Sequence, residues 1–180
     1  QNIYLKNLKY ITQAGGPLSE EIYNKVNNFS SKNKSKFFIM YGQTEASPRM
    51  SYLIANKLIY KKGMIGKPIK GGKFHISDKY KKEIKIPNKV GKLHYQGANV
   101  FLGYANSTRQ MNKKSNLQNK IILDTGDLAK FDDNKNYYIV GRESSFIKLL
   151  DKRVNLEEIS DLIKKHNQEI ICTYENKKIN

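Results

Sequence analysis

The chain has 180 residues, enough to bury one ordinary hydrophobic core, and a formal net charge of +17 from 33 lysines and arginines against 16 acids. Only four of those 33 are arginine (Arg49, Arg109, Arg142 and Arg153), and sequence-specific reading of nucleic acid leans on the planar guanidinium fork. The composition therefore argues against a specific nucleic-acid partner despite the positive field. A single cysteine, Cys172, rules out an internal disulfide framework, and His75, His94 and His166 lie too far apart for a zinc motif.

In chain order, residues 8–14 read as a strand ending at Gly15-Gly16-Pro17. Ser19 then caps a helix to about Phe29, with Glu20 and Glu21 favouring its positive end. Residues 32–36 form a lysine-rich connection into an apolar run, 37–40, that reads as a buried strand. Strand, helix and strand in succession predict a parallel, covered sheet. From residue 73 the pattern changes to short alternating runs at 73–77, 83–86 and 92–95, which predict a small antiparallel or barrel-like subdomain. After a polar stretch, 107–120, strands resume at 128–131 and 137–140 across a hairpin turn at 132–136. Asn155 with Glu158 three residues on predicts a helix N-cap box, with Leu156, Ile159, Leu162 and Ile163 as the apolar face of the helix that follows. A last strand is expected at 169–174, with Cys172 as a small core residue.

The chemistry gathers just after the buried run, at Tyr41-Gly42-Gln43-Thr44-Glu45. An aromatic ring suits a base, a threonine hydroxyl suits a phosphate oxygen, and a glutamate is a hard oxygen ligand for magnesium. Strand ends are where open α/β sheets put such sites. Taken alone, the five residues fit an ordinary glycine turn equally well.

They are not alone. Thr125-Gly126-Asp127, Gly141-Arg142, Ile147-Lys148 and the run from Arg153 to Ile159 follow in one order. Together with Gly63 to Pro68, and with Gly91 to Gly97 continuing to Gly103-Tyr104, the series resembles the adenylate-forming ligases, the superfamily of acyl-CoA synthetases and related AMP-producing enzymes. The resemblance implies an α/β fold: 1–142 as the later part of the large AMP-binding domain, with a sheet region to about 70 and a β-rich subdomain from about 71. Residues 143–180 would then hold the hinge and the start of a small α+β C-terminal domain. It implies ATP or AMP and Mg2+ as ligands, a carboxylic acid as substrate, and coenzyme A or a carrier-protein phosphopantetheine as thiol acceptor. Gly15, Gly16 and Pro17 would line the adenine, Tyr41 would stack on it, and Gly42 and Gln43 would complete that loop. Thr44 would hydrogen-bond the α-phosphate, Glu45 would hold magnesium, and Asp127 with Arg142 would take the ribose hydroxyls.

Three residues depart from the family pattern: Ser144 at an acidic hinge position, Asp151 where a glycine commonly ends the Ile-Lys segment, and Lys92 at the usual glutamate of Gly-Glu-Leu. The family's phosphate loop lies before Gly15 and its catalytic lysine after Asn180, so the isolated chain is expected to be inactive. A remnant without turnover is the alternative, and a basic nucleic-acid binder the third. No apolar run is long enough to cross a bilayer or to act as a secretion signal, and a cytoplasmic location is expected.

Overall fold

A computed structural model of the chain describes residues 5, 7–55, 60–111, 121–149, 152–164, 172–175 and 178–179. It opens with β1 (Tyr10–Gln13), α1 (Glu20–Lys32) and β2 (Lys36–Tyr41), and β1 pairs parallel to β2 with Tyr10 opposite Lys36. Ser19 caps α1 as its sequence predicts: its backbone is extended and its side chain accepts the Ile22 N–H. The helix runs past Phe29 to Lys32. It stops where the Asn33 N–H returns to the Phe29 carbonyl and Lys34 turns left-handed at φ 54°.

A 3₁₀ turn, Thr44–Ala46, leads into β3 (Ser51–Ile54), β4 (Met64–Pro68), β5 (Lys73–Ser77), β6 (Gly91–Gln96), the short α2 (Thr108–Met111), β7 (Ile122–Phe131) and β8 (Tyr137–Arg142). These strands join one eight-stranded sheet in the order β1-β2-β3-β4-β8-β7-β6-β5. Among the described residues β1 and β2 pair parallel and the other neighbours antiparallel, so the sheet is mixed. Past β8 come a 3₁₀ turn (Glu143–Ser145), the antiparallel pair β9 (Phe146–Leu149) and β10 (Lys152–Asn155), α3 (Leu156–Lys164), and the short pair β11 (Tyr174–Glu175) and β12 (Lys178–Ile179). No helix among the described residues is long and apolar enough to cross a membrane.

Two apolar clusters hold the sheet. One packs α1 on the parallel end through Leu18, Tyr23, Phe37, Ile39 and Leu53. Tyr23 stacks on Tyr60 at 4.7 Å, and both hydroxyls are satisfied, Tyr23 donating to the Ala55 carbonyl and Tyr60 to that of Leu18. The other cluster fills the antiparallel end with Met50, Ile65, Phe74, Leu93, Tyr95 and Phe131. The strict in–out alternation of β6 is the period-2 pattern the sequence showed at 92–95.

Several expectations change. The run 83–86 is not a strand: Glu83 makes a single bridge to Ser77, Ile86 is 63% exposed, and Pro87 brings no N–H to a ladder. The strand expected at 8–14 is shorter, and those expected at 128–131 and 137–140 extend to Ile122 and to Arg142, absorbing both downstream motifs. The hairpin turn at 132–136 forms as read, with the Asp132 carboxylate accepting the Asn136 N–H at 2.8 Å. Cys172 is half-buried rather than buried. Leu162, at 61%, and Ile163 are exposed, while Asn155 is buried as the last residue of β10. Asp151, His166, residues 169–171 and the Glu158 side chain lie outside the described residues.

Lys92 finds an acid after all. Its ammonium lies 2.8 Å from Glu143, at the start of the 3₁₀ turn that carries Ser144. Both side chains are about two-fifths exposed, so solvent screens the pair strongly. Lys92→Ala is expected to change unfolding stability by less than about 1 kcal/mol, with the difference shrinking at roughly 1 M salt. A larger, salt-independent loss in denaturant titration would contradict this.

Candidate active site

The parallel pair sets the site's geometry. Gln13 lies opposite Ile39, so Gly15-Gly16-Pro17 and Tyr41-Gly42-Gln43 leave the same carboxyl edge of the sheet. The first loop is open: a Cβ at Gly15 or Gly16 would meet no protein atom within 4 Å, and Gly15 holds φ 90°. The Gln13 amide donates to the Gly16 carbonyl at 2.8 Å and fixes the loop's start. The second loop is closed: a Cβ on Gly42 would lie 1.8 Å from the Pro48 carbonyl oxygen.

Tyr41 is half-buried, its ring 6.2 Å from Phe74, and its hydroxyl donates to Asp127 Oδ2 at 2.5 Å across 86 residues of sequence. Burial first, and the Asp127 carboxylate second, push the Tyr41 hydroxyl well above its ordinary value, so it stays a donor. Asp127 is buried, and its Oδ1 accepts from Arg142 Nη1 at 3.0 Å. The same nitrogen donates to the Thr125 carbonyl at 2.9 Å. β7 and β8 make this pairing by register, Asp127 opposite Arg142, with Gly126 at φ 70° turning the carboxylate into place. The Thr125 hydroxyl supports it from below, donating to the Leu93 carbonyl and accepting the Asp127 N–H.

Glu45 and Thr44 sit on the 3₁₀ turn. The Tyr104 hydroxyl donates to Glu45 Oε1 at 2.5 Å and is the main cause holding that carboxyl below its usual range, with the Arg142 charge a minor one. Hydrogen bonds thus join Tyr41, Asp127 and Arg142, Glu45 follows on the turn after Tyr41, and Gly15, Gly16 and Pro17 stand on the neighbouring loop of the same edge. Two contributors went unpredicted as site residues: Tyr104, and Asn99, whose amide braces the 44–49 turn.

The donor set suits magnesium with a nucleotide. Among the described residues no group of three or more His, Cys, Asp and Glu could hold a metal by itself. Magnesium needs no such cage: one carboxylate, a nearby hydroxyl oxygen, water and substrate phosphates suffice, and the half-exposed Glu45 beside the exposed Thr44 fits that need. A separate cleft of about 710 Å³, lined by Lys9, Lys34, Lys36 and Tyr10, opens at the other end of β1 and β2, where the paired strands begin.

Tyr41 ends β2, Asp127 lies within β7, Arg142 ends β8 and the half-exposed Glu45 stands on the 3₁₀ turn after β2. The family description of the AMP-binding enzymes matches residues 2–105, and the chain belongs to that family. It is 30% identical over 165 residues to 4-hydroxybutyrate–CoA ligase 1 of Metallosphaera sedula, covering 89% of this chain and 28% of that enzyme. A luciferin 4-monooxygenase of Photuris pensylvanica is 29% identical over 165 residues, 90% of this chain and 29% of its own length. The fold matches O-succinylbenzoate coenzyme A synthetase of Bacillus subtilis in complex with AMP at a TM-score of 0.75 and 21% identity, over 99% of this chain and 36% of that one. The chain thus spans between a quarter and two-fifths of the length of these three proteins.

Proposed function

We propose that this chain is a segment of an ATP-dependent acid ligase, one that joins a carboxylic acid to AMP and then passes the acyl group to a thiol. The observation carrying this reading is the Tyr41–Asp127–Arg142 cluster, which shares one edge of the sheet with the open Gly15-Gly16 loop. An adenosine has one matching partner for each of its parts here. The Tyr41 ring, backed by Phe74, offers a stacking surface, and the Gly15-Gly16-Pro17 backbone offers close approach to the base. Asp127 offers acceptors to the ribose hydroxyls, and Arg142 offers a forked donor. Thr44 donates to an α-phosphate oxygen, and Glu45 binds the magnesium, which when bound neutralises phosphate charge.

In the first half-reaction a carboxylate oxygen attacks the α-phosphorus of ATP, the bond to the bridging oxygen breaks, and pyrophosphate leaves with that electron pair. This chain's own residues bind and orient the nucleotide, which turns the encounter into a near-intramolecular one. In the second half-reaction a thiol, of coenzyme A or of a carrier-protein phosphopantetheine, displaces AMP from the acyl carbon. In this reading 1–142 belongs to the large domain and 143–180 holds the hinge and the start of the smaller one, with the whole enzyme acting in the cytoplasm.

The test is acid-dependent exchange of pyrophosphate into ATP by the complete gene product over a panel of carboxylic acids. Exchange with a defined acid is expected. A gene product that binds ATP but exchanges with no acid would favour the remnant. A sharper test of the adenine loop uses Gly16→Ala in the chain itself. An added methyl there meets no protein atom, so stability should stay within about 0.5 kcal/mol, while nucleotide affinity falls about tenfold because the backbone no longer approaches the base. Unchanged affinity would remove this loop from the site.

A further inference from the structure

The 44–49 turn has bonds of its own, from the Ala46 N–H to the Gln43 carbonyl and from the Ser47 N–H to that of Thr44, but it also holds a strained residue. Ser47 sits left-handed at φ 54°, a conformation disfavoured for a residue with a β-carbon, and it closes the turn that carries Thr44 and Glu45, the residues that face the nucleotide in the reading above. Its brace comes from the distant loop after β6. Asn99 Nδ2 donates to the carbonyls of Ala46 at 2.6 Å and Arg49 at 2.8 Å, the two residues that bracket Ser47-Pro48. The Ser47 hydroxyl donates to the Asn99 carbonyl at 3.1 Å, and the Phe101 N–H donates to the Glu45 carbonyl at 2.8 Å.

The amide is itself aimed by a buried group. Tyr95, fully buried in the antiparallel core, donates its hydroxyl to Asn99 Oδ1 at 2.8 Å. With the oxygen facing a hydroxyl and the NH2 facing two carbonyls, each side of the amide has a complementary partner. Gly72 and Gly97 make room for this contact: a Cβ on either would come within 2.6 Å of the Tyr95 oxygen. A rigid line therefore runs from the β6 core through one side chain to the turn that carries Thr44 and Glu45.

We propose that Asn99 is a positioning residue for the phosphate- and metal-facing turn: aimed by Tyr95, it clamps the Ala46 and Arg49 carbonyls and so fixes Thr44 and Glu45 relative to Tyr41 and Asp127. The inference rests on the reading of this site as a nucleotide site. It predicts a selective loss. Without the clamp Ser47 relaxes toward right-handed geometry and the turn shifts, whereas the adenine loop and the Asp127–Arg142 pair are anchored elsewhere and keep their places.

The experiment measures binding of adenosine and of ATP with magnesium to the chain and to Asn99→Ala, Asn99→Asp and Tyr95→Phe, with hydrogen exchange at the Ala46 and Ser47 amides. In Asn99→Ala, affinity for ATP with magnesium should fall about tenfold and that for adenosine by less than about twofold. Asn99→Asp keeps an acceptor for Tyr95 but sets a carboxylate against two carbonyls, so it should be as poor as alanine or worse. Tyr95→Phe, which removes only the aiming hydroxyl and keeps the ring in the core, should show the same selectivity at a fraction of the size. Exchange at Ala46 and Ser47 should quicken relative to the amides of β6. Equal losses for the two ligands, or no loss in any variant, would overturn the inference while leaving the nucleotide reading intact. A wild-type chain that binds neither ligand would overturn the nucleotide reading, and this inference with it.

Discussion

Replacing Asp127 with alanine is expected to cost the chain both stability and its nucleotide. The buried carboxylate serves two partners at once, the Tyr41 hydroxyl and Arg142, which is half-exposed and is rehydrated on its loss. Tyr41 is more enclosed, and a hydroxyl left there without an acceptor costs about 1–3 kcal/mol of unfolding stability. Nucleotide affinity should fall by a further 1.5–3 kcal/mol, about ten- to a hundredfold, as the charged acceptors for the ribose vanish. Asp127→Asn should fall between wild type and alanine on both counts, since it keeps one acceptor oxygen. Thermal unfolding and equilibrium binding of AMP read the two effects separately. Unchanged AMP affinity in the alanine variant would take Asp127 out of the site.

The second large effect is steric. A methyl on Gly42 would lie 1.8 Å from the Pro48 carbonyl oxygen and 3.1 Å from the Met50 nitrogen, which are backbone atoms that no rotamer change can move aside. Gly42→Ala must therefore open the loop, breaking the 2.9 Å bond from the Met50 N–H to the Tyr41 carbonyl and disturbing Ala46 and Met50, both fully buried. A loss of about 2–4 kcal/mol is expected, seen as a lowered midpoint in denaturant. The Gly16→Ala chain, with open space at the new methyl, is the matched control. Equal stability of the two variants would mean that the loop is not packed as described.

The sequence made the local chemistry legible and hid the distances. Ser19 with two glutamates, the hairpin at Asp132 and the alternation in β6 are decided by neighbours a few residues apart, and each formed as read. β3 and β4 went unread because Gly66 and Pro68 interrupt the second and the first is only four residues long, so neither carries a strand period of useful length. The run 83–86 alternates like a strand, but what decides a strand is a partner, and the chain turns away at Pro87. At the site, Tyr41, Thr44 and Glu45 stand out only through the ordered series of motifs that follows them, since alone they fit an ordinary glycine turn equally well. That the Tyr41 hydroxyl meets Asp127, or that Asn99 meets Ala46 and Arg49, depends on how β7 and the loop after β6 fold back, and no local pattern encodes it.

The carboxyl edge of β1 and β2 is expected to bind an adenine nucleotide, and a nuclear magnetic resonance titration of the chain with AMP reads this residue by residue. Saturable shifts are expected at Gly15 and Gly16, at 41–45, and at Gly126, Asp127 and Arg142, and nowhere near Lys9, Lys34 and Lys36 at the far end of the same strands. Absence of saturation, or shifts confined to that lysine cleft, would mean that this edge is not a nucleotide site.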